Sequence, residues 1–212
     1  MRSLVLAILL PAASWSQVLS FPKANVVPQI MIEWAESQKT LPDMVVRFKQ
    51  TRTVPALKQP VISHGRFWRF QDGAFRWELG DESKASTILV HDAKEFRVRE
   101  SPEAAWQLLE ENDSRFRMWA RFLSGRDASP DDLARHFIVK EIDAGNEVAA
   151  ITLKPKAPFV KRYLKQLELQ LDRASKRLLQ IRILQGDGAD VLMQFDKPGA
   201  VSSAEKAMAL AR

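Results

Sequence analysis

Cysteine is absent from the 212-residue chain. That excludes a disulfide framework, a thiolate nucleophile, a Cys-based zinc site and a lipid attached through cysteine. Histidine is scarce. His64, His91 and His136 are the three copies, and they lack the His/Cys/Asp spacing of a metal site. There is no G-x-S-x-G elbow, P-loop, H-E-x-x-H or G-x-G-x-x-G. Gly186-Asp187-Gly188 reads as a turn, and Asp131-Asp132 belongs to a helix start. No apolar run approaches the ~20 residues of a spanning helix. Internal repeats, low-complexity segments and domain boundaries are also missing.

What is present fits an ordinary globular chain: 46% hydrophobic and 27% charged residues, long enough to bury a core without metals or disulfides. The N-terminus has the order of a secretory signal: Arg2, an apolar run from Leu4 to Leu10, then Pro11, Ala12, Ala13, Ser14 and Ser16. The expectation is a signal peptide over 1–16, cut after Ser16 or alternatively after Ser14, and one domain over 17–212. Without Arg2 the net charge of +6 becomes +5. The basic balance suits anionic membrane surfaces or acidic partner proteins, or simply solubility. Lys and Arg stand beside Asp and Glu, and no nucleic-acid-binding motif is present, so nucleic acid is not expected as a partner.

The first element reads as a helix over 28–39, with Ile30, Met31, Trp34 and Ala35 on one face. The period then drops to two. Val46 and Phe48 alternate with Arg47 and Lys49, and a proline-bearing loop follows from Thr53 to Pro60. Residues 61–70 and 74–79 read as an aromatic hairpin around Gln71-Asp72-Gly73. In its second arm Phe75, Trp77 and Leu79 oppose Arg76 and Glu78. Alternation does not tell whether Phe67 or Trp68 faces inward. Ser86–His91 and Glu95–Arg99 read as strands. Pro102–Glu110 and Asp113–Ser124 read as helices, and Ser129-Pro130-Asp131-Asp132 starts a short one ending near Arg135. Val148–Leu153 is a strand. In the next three, Tyr163, Leu167, Leu169 and Leu171, then Leu179, Ile181 and Ile183, then Val191, Met193 and Phe195 form apolar faces. Ser202 and Glu205 make a capping box for a terminal helix.

This predicts a mainly β (α+β) protein: a helix, about five strands, two or three helices, then about five strands in an antiparallel meander. A sheet that large curls, and its apolar concave face needs a cover. Phe116, Trp119, Phe122 and Leu123 on the helix Asp113–Ser124 are the candidates for that cover. A plain core helix and a membrane-surface helix remain alternatives.

Phe48-x-Gln50, Leu57, Pro60, Ser63, Gly65, Phe67-Trp68 and Phe75-Arg76-Trp77-Glu78 together resemble the outer-membrane lipoprotein carrier family, the LolA-like proteins. Ile88-Leu89-Val90-His91-Asp92, Ile151-Thr152-Leu153-Lys154-Pro155 and Phe195-x-x-Pro198-Gly199-x-Val201 extend the likeness over roughly residues 26–201. The resemblance implies a curved, incomplete antiparallel β-barrel of about ten or eleven strands, with a helical lid over an apolar cavity. It implies a non-enzymatic periplasmic carrier of lipoprotein acyl chains that needs no cofactor. Its partners would be an inner-membrane ABC transporter and an outer-membrane receptor, with transient contact at membrane surfaces, and it would act as a monomer. The implied cavity residues are Val46, Phe48, Phe67, Trp68, Phe75 and Trp77, then Leu89 and Phe96, then Leu167, Leu169, Leu171, Ile181, Ile183 and Met193. The family commonly carries Arg-Pro in the turn between the aromatic strands, where an Arg can latch the lid. Here Gln71 and Asp72 take those places, leaving Arg69 and Gln71 as the latch candidates. A LolA-like protein for another amphiphile, a glycolipid or polyene lipid, is the alternative.

Overall fold

Pro28 supplies the extended N-cap of the first helix, and its carbonyl accepts from Met31 N at 2.9 Å. The computed structural model describes residues 27–81, 84–92, 95–109, 129–143 and 145–211. Helix α1 (Gln29–Lys39) leads into β1 (Met44–Thr53), β2 (Val61–Arg69), β3 (Phe75–Asp81), β4 (Lys84–His91), β5 (Phe96–Arg99) and β6 (Gln107–Leu109). Then come α2 (Pro130–His136), β7 (Phe137–Asp143), β8 (Val148–Pro155), α3 (Pro158–Lys161), β9 (Leu164–Asp172), β10 (Leu178–Gln185), β11 (Asp190–Phe195), β12 (Gly199–Ala200) and α4 (Ser203–Leu210).

All strands join one antiparallel sheet in the order β6-β5-β4-β3-β2-β1-β11-β10-β9-β8-β7, with β12 beside β1. Among the described residues the path does not close, because β6 and β7 stand at opposite ends. The result is mainly β with a few helices, an open curved sheet of 12 strands.

Period-two alternation divides the sheet into two faces. On the inner face, Phe48, Phe67 and Phe75 join Leu167, Leu169, Leu171, Ile181, Ile183 and Met193 in one core cluster. Helix α1 adds Ile30, Met31, Trp34 and Ala35, all buried, and α2 adds Leu133. A sheet whose two halves and covering helices share one cluster is concave on that side. The opposite face carries a small second cluster, Trp68, Phe70, Ala74 and Ala209, where α4 docks.

Three expectations need correction. The helix expected over Pro102–Glu110 is not formed by its described residues, 102–109: Gln107, Leu108 and Leu109 pair with Val98, Arg97 and Phe96. Trp106 meets the guanidinium groups of Arg97 and Arg99 at 5.8 and 5.1 Å. Edge pairing and these cation–π contacts override the local helix preference. Tyr163 does not join the apolar face of β9. It is exposed, and Leu164 is buried instead, because β9 begins at Leu164. The sequence reading names no strand over 137–143, yet β7 lies there; Phe137 and Val139 are buried while Ile138 and Ile142 are exposed. The expected helix Asp113–Ser124, with Phe116, Trp119, Phe122 and Leu123, lies outside the described residues.

Candidate inner-face binding site

The aromatic hairpin is the centre of the candidate site, and strand register explains its composition. Phe48 of β1 stands opposite Gly65 of β2, and Gln50 opposite Ser63. A Cβ on Gly65 would meet Phe48 Cζ at 2.2 Å and the Glu78 carbonyl at 2.4 Å. The glycine therefore lets the Phe48 ring lie over the β2 backbone and reach Trp77, with ring centroids 4.3 Å apart. Phe195 lies on the other side of Phe48, at 5.9 Å. Phe67 follows, 6.1 Å from both Phe75 and Trp77. Phe75 continues to His91 at 5.5 Å, and His91 stacks flat on Phe96 at 4.0 Å. The inner face of β1–β5 is thus one connected aromatic surface, held by offset and tilted ring contacts.

Its members are not equally covered. Phe48 and Phe75 are buried. Trp77, Leu79, Leu89 and Phe96 are only partly buried, though they pack against the same core. On the β8–β11 side, Leu169, Leu171 and Ile181 are at most 2% exposed. The expected cavity residues therefore form two sets: one closed beneath α1, the other half-open toward β5. Val46, Phe67, Leu167, Ile183 and Met193 are buried between these extremes. Leu79 belongs to the half-open set; Phe75, Trp77 and Leu79 alternate together in β3, so its face was legible though its role was not singled out.

Trp68 is placed differently from the expectation. Phe67 faces inward, so alternation sends Trp68 outward, where its Nε1 donates to Glu205 Oε1 of α4 at 3.1 Å. Three of the hairpin's charges, Arg66, Arg76 and Glu78, also go outward. Glu78, 6% exposed, bridges Arg66 and Arg76, each at 2.6 Å, and the Arg66 guanidinium lies 4.8 Å over the Trp68 ring. The interleaving of aromatic and charged residues in the sequence is thus one β-hairpin seen from its two faces.

The turn beneath the hairpin is built for α4. Gly73 takes φ 90°, its N–H donates to Phe70 O, and Phe70 N donates to Ala74 O. Asp72 Oδ2 binds Lys206 Nζ at 2.7 Å, and Asp43 lies 3.4 Å from the same ammonium. Partial burial pushes the Asp72 carboxyl up. Bonds from Lys206 and from Ala74 N–H outweigh that and hold it below the usual carboxylate range. The Lys206 ammonium is raised, chiefly by its hydrogen bond to Asp72.

The two latch candidates lie at the end of β2 and in the turn that follows. Arg69 is 3% exposed on the inner face, and its Nη2 donates to the Gln38 carbonyl at the end of α1. Burial lowers its pKa, partly offset by Asp43. One of its partners is thus the end of α1. The Gln71 side chain is exposed, while its backbone N–H donates to Asp43 Oδ1 at 2.7 Å. Any bond from either residue to the expected lid falls outside the described residues. His91 has its pKa lowered by burial in the aromatic surface, against smaller raising contributions from the Glu95 carbonyl, Asp92 and Asp72.

Among the described residues no group of three His, Cys, Asp or Glu could hold a metal ion. No described helix is long and apolar enough to cross a membrane. A separate hollow of about 370 Å³ is lined by Arg47, Lys49, His64, Arg66 and Asp196 beside Phe48, Gly65 and Gly80. Charged side chains line it, unlike the inner face.

The sequence matches the family model described as "Outer membrane lipoprotein carrier protein LolA" over residues 39–208. Similar solved structures include a LolA superfamily protein from Nitrosomonas europaea, 10% identical with a TM-score of 0.43, covering 85% of this chain and 96% of the other. A putative outer membrane lipoprotein-sorting protein domain from Vibrio parahaemolyticus is 8% identical with a TM-score of 0.43, covering 86% and 98%. The MucA/MucB complex from Pseudomonas aeruginosa gives 16% identity and a TM-score of 0.41, covering 82% and 58%. No curated protein matches by sequence.

Proposed function

The chain belongs to the outer membrane lipoprotein carrier protein LolA family, and from that premise we propose that it is a periplasmic carrier for lipoproteins. It takes their acyl chains onto its concave face, carries them across an aqueous compartment and releases them at the outer membrane. An inner-membrane ABC transporter would load it and an outer-membrane receptor would unload it. The reading includes a cleaved signal over 1–16 and a single binding domain over 17–212. No covalent chemistry and no cofactor is required.

The observation that carries this reading is the half-open part of the inner face. Trp77, Leu79, Leu89 and Phe96 are partly buried hydrophobics packed on the main core. Each methylene moved from water to such a surface contributes about 0.8 kcal/mol. Acyl chains resting there would extend the core already formed by Phe48, Phe67 and Phe75. Wide aromatic rings tolerate different chain placements, which suits a carrier that must release its cargo.

The turn favours a second reading of the same site. Asp72 is committed to Lys206, which also meets Asp43, and no arginine is presented at the turn, so a LolA-like carrier for another amphiphile, a glycolipid or polyene lipid, would use the identical surface. Native mass spectrometry of the protein purified from the periplasm tests both. Co-purified lipoprotein supports the first and a protein-free amphiphile the second. A protein that stays empty, and does not release lipoproteins from inner-membrane vesicles bearing the transporter, sinks both.

A further inference from the structure

Exposed apolar side chains gather at one end of the sheet. Of the nine large hydrophobics exposed among the described residues, Leu57, Val61, Ile62, Phe159 and Tyr163 lie at or beside three neighbouring connections. These are the β1–β2 loop, the α3 segment between β8 and β9, and the β10–β11 turn. The β10–β11 turn touches both of the others. Gly186 N donates to Tyr163 O at 2.9 Å, and a Cβ on Gly186 would collide with the Arg162 carbonyl at 1.6 Å, so only glycine permits that approach. Gly188, at φ 91°, sits so that a Cβ would lie 3.2 Å from Pro55 Cγ. The β10–β11 turn therefore joins the other two connections into one rim.

The rim presents its aromatics rather than burying them. Phe159 and Tyr163 are 57% and 64% exposed, and their rings meet edge to face at 5.6 Å. The intervening Val160 packs against the core and anchors the pair. Backbone bonds from Arg162 N to Phe159 O and from Tyr163 N to Val160 O fix the segment.

Charge at the rim is predominantly positive. Segments 52–62 and 154–165 hold seven Lys and Arg and no Asp or Glu, against a net charge of +6 for the whole chain. The turn 185–189 adds one acid, Asp187. An exposed apolar and aromatic patch ringed by cations matches the chemistry of an anionic bilayer surface, where rings sit at headgroup level and ammonium groups meet phosphates.

We propose that this rim is a membrane-docking surface, whose occupant is the headgroup region of a bilayer containing anionic phospholipid. Leu57, Phe159 and Tyr163 enter the interface, and Lys58, Lys161 and Arg162 meet phosphates. The proposal concerns the outside of the sheet end and stands whatever fills the concave face.

The absence of cysteine makes the test direct. Leu57→Cys and Met208→Cys variants of the full chain each carry an environment-sensitive fluorophore. Met208 is equally apolar and 69% exposed, but lies on α4. The probes are protein-free vesicles of phosphatidylglycerol with phosphatidylethanolamine, and vesicles of phosphatidylcholine alone. The expected result is a blue shift of the Leu57 label on the anionic vesicles and none of the Met208 label. The shift should fade in about 1 M salt, where the Debye length falls to ~3 Å. Phe159→Ser combined with Tyr163→Ser should weaken vesicle flotation by about tenfold or more at an unchanged melting temperature. Equal shifts at both labels, which would mean binding through another part of the chain, overturn the proposal. So does no shift at Leu57, or a Leu57 shift only when the vesicles carry membrane protein, which would make the partner a protein.

Discussion

Gly65 shows how one residue sets the geometry of a face. Its missing side chain is the space that the Phe48 ring occupies on its way to Trp77. Gly65→Ala places a methyl against both that ring and the rigid Glu78 carbonyl. The expected loss is about 1–3 kcal/mol, the usual cost of overpacking, read by urea titration. Phe48→Ala in the same chain should not restore the loss, because the carbonyl contact remains. His91 supports a prediction of another kind. Its pKa is depressed in the folded state, by burial above all, so the unfolded chain takes up the proton first. Stability from this group is complete above about pH 6.5 and is lost as pH falls through the depressed value. Urea melts across that window should show the slope, and His91→Phe should remove it. At this scale the sequence was legible where alternation settles a face, as for Val46 and Phe48. It was silent where two adjacent aromatics compete: Phe67 and Trp68 are equally apolar, and only pairing with Val46 and Val45 decides which turns inward.

Helix α4 is the element whose position the sequence least reveals. Its cap was legible: the Ser202 side chain accepts from Glu205 N at 3.2 Å. Only half of the expected capping box forms, however, because the Glu205 carboxylate is drawn to Trp68 instead. The far end is held by the convex face, where Arg76 donates to Ala209 O at 3.0 Å and Arg97 to Leu210 O at 3.2 Å. Those guanidinium groups satisfy carbonyls that an eight-residue helix leaves open and sit at the negative end of its dipole. Partners 113 to 137 residues distant in the chain leave no local trace in the sequence. Ser202→Ala removes the N-terminal bond. The expected cost is about 1 kcal/mol, or a melting temperature lower by roughly 2–4 °C in a chain of this size. Calorimetry checks it. The same distance effect explains β6. Pro102–Glu110 contains good helix formers, and what turns Gln107–Leu109 into an edge strand is β5, together with two arginines held against Trp106.

The described residues form a sheet whose two ends, β6 and β7, do not pair with each other, and its inner face has two different zones. The β8–β11 zone is sealed: Leu169 and Leu171 are fully buried in the cluster that includes α1. The β3–β5 zone keeps Leu89, Trp77 and Phe96 half-covered. Alternation along each strand groups the residues that share a face, but it could not separate these two zones. Periodicity reports which side a residue faces, whereas coverage depends on where α1 crosses. Arg69, bonded to Gln38 at the helix end, and Glu33, 2.5 Å from Lys176 of the β9–β10 turn, fix that crossing. The zones should respond differently to polar substitution. Leu169→Gln puts an amide into a fully packed core. It should cost several kcal/mol, combining the lost packing of a buried Leu with about 1–3 kcal/mol for the unsatisfied group, and bound lipid should fall only in step with the folded fraction. Leu89→Gln, at the half-open surface, leaves its amide able to reach water and should cost little stability. If the open zone receives acyl chains, that variant should nevertheless lose lipid occupancy in native mass spectra at an unchanged melting temperature. Retained occupancy in Leu89→Gln and in Phe96→Gln would move the binding surface away from β3–β5.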